Sequence, residues 1–393
     1  MLSVKTGVIC VLLCFSGTLN AQEIQLLFAG DAMQHQSQIN NAFRNGEFDY
    51  SSYFQYITYE ISSADLAIVN LEGPLGGKPY KGYPQFSIPD AFAVALKDAG
   101  FSVFLTANNH AADRYSQGIN RTIDVLDSLG VYHTGTFKSD SDRERDYPLI
   151  VEKNDIRMAF LNYTYDTNGI NPGAPCIVNY IDTALIKEDI DKAIQANPDV
   201  LIAVMHWGNE YRLNPSKSQE QLVRFLINQG VDLIIGSHPH VVEPSQIFTD
   251  SITDRTHLIV YSLGNFVSGM SAVNTDGGQM ISVTLKKEDG KTRIESCGTL
   301  LVYTQQKKVN GTVDFTLIPV TLAEKSQVIP DSDRIALDPL TYEKMMRFTD
   351  NARNLFRQYN NAVDEYRFLN KNTDEEDFSK KNSRKICLLR TNM

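Results

Sequence analysis

Cysteine is scarce in this 393-residue chain, with five residues in all: Cys10, Cys14, Cys176, Cys297 and Cys387. Two lie near the N-terminus and the other three are odd in number and far apart, which excludes a disulfide framework and a cysteine-based metal spacing. Positive charge is also short. Lys and Arg number 37 against 47 Asp and Glu, a net charge of -10 that argues against a dedicated nucleic-acid binder, because phosphate recognition needs a basic face. A locally positive pocket stays open, since bound cations can dominate a local field. No internal repeat is visible. Beyond the N-terminus no apolar run approaches the ~20 residues of a membrane helix.

What is present reads as a globular protein, 42% hydrophobic and 21% charged. Lys5 followed by the apolar run Gly7 to Phe15 and the small or polar stretch Ser16 to Ala21 has the form of a secretory signal, with cleavage after Ala21. A buried N-terminal strand or helix is the alternative. Leu12 and Leu13 stand before Cys14 where a lipoprotein signal needs a small residue, so lipidation is not expected. These features divide the chain into a signal segment at 1–21, a main domain at 22–325, a helical segment at 326–369 and a charged tail at 370–393. The tail is poor in apolar residues and expected to be disordered. Export would place the mature protein in the periplasm or at the cell surface.

From Ile24 to Leu263 short apolar runs alternate with amphipathic stretches. The runs are Ile24–Ala29, Leu66–Val69, Phe101–Leu105, Met158–Leu161, Val200–Met205, Val231–Ile235 and Leu258–Tyr261. Helical spacing is found in Ala91–Gly100, Asn120–Leu129, Ile186–Ala196 and Ser218–Gln229, with Gly100, Gly130 and Gly230 as closing residues. This alternation predicts an α/β domain around buried sheets. Gln279–Lys286, Arg293–Leu301 and Val313–Pro319 predict a late antiparallel set, and Asp338 to about Leu369 predicts a helix or helix pair.

Six apolar runs are followed at once by a polar motif. These are Gly30-Asp31, Asn70-Leu71-Glu72, Asn108-Asn109-His110, His206-Trp207-Gly208, Gly236-Ser237-His238-Pro239-His240 and Ser262-Leu263-Gly264-Asn265-Phe266. In an α/β sheet the loops at the carboxyl ends of neighbouring strands converge on one crevice, so motifs spread over two hundred residues would meet there. Their Asp, Glu, Asn and neutral His donors suit divalent Zn, Mn or Fe, and one bridging carboxylate can hold two ions roughly 3.5–4 Å apart.

Each motif taken alone has a plainer explanation. Asp31 can be a helix cap, Glu72 a turn residue, Asn108-Asn109 left-handed turn residues, and His110 and His206 satisfied buried histidines. His238-Pro239-His240 is harder to explain by packing. Gly264-Asn265-Phe266 can be purely structural. The joint pattern favours a metal site, and His257, which precedes its strand, belongs to the other end of the sheet.

Together these motifs resemble the CapA family of capsule, or poly-γ-glutamate, biosynthesis proteins, within the calcineurin-like metallophosphoesterase superfamily. The resemblance runs from Ile24 to Phe266, through Phe28-Ala-Gly-Asp31-Ala-Met33, Ala67-Ile-Val-Asn70-Leu-Glu72-Gly-Pro74, Phe104-Leu-Thr-Ala-Asn108-Asn109-His110, His206-Trp-Gly-Asn-Glu210, Gly236-Ser-His238-Pro-His240-Val241 and Ser262-Leu-Gly-Asn-Phe266. It implies a four-layer αββα sandwich holding two divalent metal ions, to which the helical spacing after Asp338 adds a C-terminal helical extension. On that resemblance Asp31 and His240 ligate the first ion, Glu72 bridges both, and Asn109 and His206 ligate the second with His238 beside them. His110 becomes the group at the substrate oxyanion or leaving oxygen, and Asn70 a second catalytic candidate. Two departures stand out. Met33 occupies the position where the superfamily has a histidine, leaving His35 as a substitute ligand candidate, and Glu72 replaces the usual aspartate. Trp207 and Tyr83 are candidates to line a substrate groove.

Three functions follow from the resemblance. The chain is an exported hydrolase of a phosphoester or related envelope bond, an assembly factor for an acidic envelope polymer in a membrane capsule-synthesis complex, or a non-catalytic binding module that keeps the fold. Nucleic acid is not an expected partner.

Overall fold

The computed structural model describes residues 22–366 apart from 252, 310, 327–334 and 336. The signal segment and the charged tail expected from the sequence lie outside the described residues.

Two sheets stack face to face. In the first, the long strand Gln22–Ala32 is central, with Leu66–Leu71, Val103–Leu105 and Tyr132–Thr134 running parallel on one side. On its other side Gly277–Glu288, Lys291–Val309 and Thr312–Pro319 continue the same sheet as an antiparallel meander. The late β set expected from the sequence is thus part of the first sheet. In the second sheet Ile156–Thr164, Val200–His206, Leu233–Ser237 and Thr256–Val260 are mutually parallel. Leu149–Lys153 and Ser245–Thr249 close its edges in antiparallel sense.

The apolar runs are continuous because the strands are covered on both faces. Ile24, Leu26, Phe28, Ile68 and Val103 of one sheet meet Phe160, Ile202, Val204, Ile235 and Val260 of the other in a core between them. The opposite face of the first sheet, through Leu27, Val69 and Phe104, takes Phe92, Ala93 and Leu96 of helix Asp90–Ala99 and Leu126 of helix Tyr115–Leu129. The outer face of the second, through Leu161, Leu201 and Ile234, takes Ile186 and Ile190 of helix Thr183–Gln195 and Val223 and Leu226 of helix Lys217–Asn228. Helix, sheet, sheet and helix are the four layers of the expected sandwich. Each fully buried large aliphatic or aromatic side chain contributes about 1.5–3 kcal/mol, so these three cores fix how the strand ends face one another.

Near the C-terminus a helix at Pro339–Tyr359 is capped by Asp338, whose carboxylate accepts from Thr341 N at 3.1 Å. Its Met345, Phe348, Ala352 and Phe356 pack on Leu301, Tyr303 and Ile318. The helical pattern read to about Leu369 stops earlier, at Tyr359. Asn360 Oδ1 accepts from Ser245 N at 2.8 Å, Asn361 bonds the Ser245–Thr249 strand, and Asp364–Glu365 pairs with Gly298–Thr299. Asparagine amides compete with helical hydrogen bonding, and two in succession redirect the chain onto the sheet edges.

Candidate metal centre

The carboxyl ends of the central strands from both sheets bring their polar side chains together in one buried cluster. Asp31 ends the central strand of the first sheet at a bulge, where its register with Leu66–Leu71 and with Asn265–Val267 shifts. A bulge re-aims side chains at a strand end. Gly30 is required there, because a Cβ would lie 2.0 Å from Gly264 O. That close approach lets Asp31 N donate to Gly264 O at 3.0 Å. Glu72 follows the neighbouring strand and its N–H bonds Ala32 O at 3.1 Å. In the second sheet His206 is in register with Ser237, which sets His238 and His240 beside it. The His-Pro-His turn is held in left-handed backbone, with φ of 101° at His238 and 58° at His240, a conformation uncommon for such residues and concentrated at functional sites.

Asp31 Oδ1 accepts from Asn70 Nδ2 at 2.7 Å, and Oδ2 accepts from His238 N at 3.2 Å and lies 3.5 Å from His240 Nδ1. Glu72 Oε1 lies 3.8 Å from His206 Nε2 and 3.9 Å from His240 Nε2, too far for hydrogen bonds. Both Glu72 oxygens are buried without a hydrogen-bond partner, and the residue is 0% exposed. His206 Nε2 and Asn109 Oδ1 are 2.9 Å apart. Asn265 Oδ1 takes His240 Nδ1 at 3.0 Å, while Asn265 Nδ2 donates to Thr275 O at 2.8 Å. The second bond orients the amide, so His240 Nδ1 carries the proton and Nε2 presents its lone pair toward Glu72.

The electrostatics match this layout. Burial pushes the Glu72 carboxyl well above its ordinary range, and Asp31 beside it pushes the same way. Burial also works to raise Asp31, but its bond to His240 and the charges of His206 and His240 outweigh it and hold the carboxyl at about 2. Burial, reinforced by His238, keeps His206 well below the usual imidazole range, and burial with His240 brings His238 to about 3. His240 is the exception: burial lowers it, yet Asp31 raises it overall. A buried carboxyl with two unpartnered oxygens between two imidazoles is costly unless a cation joins them. The donor atoms of Asp31, Glu72 and His206 lie within 4.8 Å of one another, as do those of Glu210, His238 and His240. The residues present fit divalent ions.

His110 follows Asn109, whose Oδ1 meets His206 in this cluster. Asp113 Oδ2 is 2.8 Å from His110 Nδ1 and also accepts from Phe86 N at 2.7 Å, and the Phe86 ring meets the imidazole edge-on at 4.6 Å. Asp113 therefore fixes the ring and leaves Nε2 free.

The other sequence candidates are placed differently. His35 Nδ1 accepts from Gly269 N at 3.1 Å and the residue joins neither donor trio. Burial and the charge of His240 bring it to about 4. Trp207 does not line a groove: it is 2% exposed, packed among Met205, Leu226 and Ile234, with Nε1 donating to Tyr261 O at 2.9 Å. Tyr83 is 70% exposed and leans on Phe86, at 6.4 Å between ring centroids. Sequence reasoning gave no role to Asp113, Asn265, Glu210 or Tyr165, whose ring lies 4.5 Å from His238. Glu210 and Asn265 lie within the motifs that carry the family resemblance, and that is the signal the sequence holds for them.

Comparison with known proteins places residues 25–270 on the family model described as bacterial capsule synthesis protein PGA_cap. The PGA biosynthesis protein CapA of Bacillus subtilis (strain 168) is 29% identical over 262 residues, 62% of this chain and 63% of that protein. The capsule biosynthesis protein CapA of Bacillus anthracis is 28% identical over 284 residues, 67% of this chain and 64% of that protein. The matches thus span just under two thirds of each relative's own length. Among solved structures, Haemophilus influenzae NAD nucleotidase aligns at a TM-score of 0.47 with 13% identity, covering 85% of this chain and 68% of that one. The calcineurin-like phosphoesterase YfkN from Bacillus subtilis aligns at 0.44 with 13% identity, covering 86% and 99%.

Proposed function

Because this chain belongs to the bacterial capsule synthesis protein family PGA_cap, we propose that it is an exported capsule or poly-γ-glutamate biosynthesis protein whose histidine–carboxylate centre binds two divalent cations and hydrolyses a phosphoester or related envelope bond. The observation that carries the metal reading is Glu72, fully buried, with both oxygens unpartnered between His206 and His240. Export rests on the sequence of residues 1–21 alone.

Divalent ions at such a centre supply Lewis-acid polarisation of an anionic oxygen and offset charge that builds in the transition state. The chain's own residues do the rest. Asp31, Glu72, Asn109, His206, His238 and His240 present the donors, and Asn70 and Asn265 aim Asp31 and His240. His110, turned by Asp113, offers Nε2 as the proton donor to a leaving oxygen. The Phe86 ring, edge-on to the imidazole, restricts the His110 side chain further.

The test is turnover by the purified full chain with Mn²⁺ or Zn²⁺ on an aryl phosphomonoester, an aryl phosphodiester and a γ-linked glutamate polymer. Chelation should abolish turnover, and His110→Ala should lower kcat by about 10²–10⁴-fold with metal content unchanged. Bound metal with no turnover of any of the three would sink the hydrolase reading. It would leave a polymer-binding or assembly factor in a membrane capsule-synthesis complex, the reading favoured by Met33, a buried side chain with no donor suited to these ions.

A further inference from the structure

We propose that Glu210 is a metal ligand, the carboxylate of an outer cation site completed by His238 and His240 and distinct from the inner trio of Asp31, Glu72 and His206. The proposal rests on the metal reading above and adds a residue to it.

Glu210 is exposed, and an exposed glutamate is ordinarily a solvated one. Three observations set it apart. The first is distance: a carboxylate oxygen of Glu210 and a ring nitrogen from each of His238 and His240 lie within 4.8 Å of one another. The second is the loop that carries it. Trp207 N donates to Ser237 O at 3.1 Å and Tyr211 N donates to Pro239 O at 2.8 Å, so the segment is tied at both ends to the strand and turn that present His238 and His240. Gly208 turns the chain at φ 92°, and the place a Cβ would fill is occupied by the Gln219 side chain at 2.8 Å. Glu210 is thus held over the His-Pro-His turn by backbone on each side. The third is an orphan donor: His238 is 3% exposed and its Nδ1 is buried with no hydrogen-bond partner.

The surroundings agree. The Tyr165 ring stands 4.5 Å from His238 and the Tyr211 ring 6.2 Å from His240, so both flank the outer trio. Two imidazoles and one carboxylate form a three-donor set that leaves coordination positions open, as catalytic sites do and closed structural sites do not. The inner trio is wholly buried, whereas the outer trio has an exposed member in Glu210. The two ions should therefore bind with unequal affinity, the outer one more weakly.

The experiment uses the full chain, stripped with chelator and titrated with Mn²⁺. Bound ions are counted by plasma mass spectrometry after equilibrium dialysis, and electron paramagnetic resonance separates a coupled pair from a lone ion. The parent should bind two ions and show a coupled spectrum. Glu210→Gln should keep the tighter ion at parental affinity and lose the weaker one by more than the ~100-fold typical of residues that only orient a ligand. Its spectrum should become that of isolated Mn²⁺. Because Glu210 is exposed, the metal-free melting temperature should not change, which separates ligand loss from misfolding. Two ions at parental affinity in Glu210→Gln would overturn the proposal while leaving the metal reading intact. No bound ion in the parent would overturn both.

Discussion

Replacing Glu72 by methionine keeps an unbranched side chain of similar length and removes two oxygens that are fully buried and unpartnered. A buried polar group without a partner costs about 1–3 kcal/mol. For the 345 positions spanned by residues 22–366, an unfolding entropy of about 2.1 cal/mol/K per residue sums to roughly 0.7 kcal/mol/K. The metal-free Glu72→Met chain should therefore melt about 1.5–4 °C above the metal-free parent. Added Mn²⁺ should have the opposite ranking. An ion at a hundred times its Kd contributes about 2.7 kcal/mol, so two ions should raise the parent by about 8 °C. The variant, lacking the carboxylate between His206 and His240, should gain less than half of that. Differential scanning fluorimetry with and without chelator reads both numbers. A metal-free variant that melts below the parent, together with an undiminished rise on Mn²⁺, would refute the reasoning: Glu72 would then be neither a cost by itself nor a bridge.

Asn265→Ala should lower metal affinity about 10–100-fold with little change in fold, because it frees the His240 ring that Asn265 Oδ1 fixes at 3.0 Å; titration calorimetry with Mn²⁺ measures it. Glu243 should make stability fall with pH. It is 0% exposed, one oxygen is unpartnered, and burial raises it from 4.5 to about 8. The folded chain holds this proton more tightly than the unfolded one, so stability is lost as pH rises from about 4.5 through about 8. At 1.36 kcal/mol per unit the loss reaches a few kcal/mol. Glu243→Gln, which still accepts from Gln219, should flatten that slope in urea melts at pH 5, 6.5 and 8.

Much of the architecture is legible in the sequence because the strands are buried on both faces. Ile24–Ala29, Val200–Met205 and Leu258–Tyr261 read as unbroken apolar runs, and polar residues directly after them mark the open end of each sheet. That is why Asp31, Glu72, His206, His238 and His240 could be named before any fold was known. The bond from Asn265 to His240 was hidden, since its motif reads equally well as a structural turn. Glu210 was hidden for another reason: an exposed acid four residues past a strand has no periodicity to distinguish it from a solvated one. Trp207 misled because an aromatic beside a candidate ligand suggests a groove, whereas the alternation of a strand end sends it to the opposite face from His206. The stop at Tyr359 depends on where the Ser245–Thr249 edge lies in space, which helical spacing in the 339–359 segment does not encode.

Asp31 and Glu72 come from one sheet and His206, His238 and His240 from the other, and Asp31 and His238 are 207 positions apart in the chain. The two sets meet only when the halves have docked through the core between the sheets. An unfolded chain, whether leaving a ribosome or crossing a membrane, thus carries no preassembled trap for a cation. On the metal reading proposed above, loading would follow folding, and the ion supply where folding finishes would decide which metal is taken up.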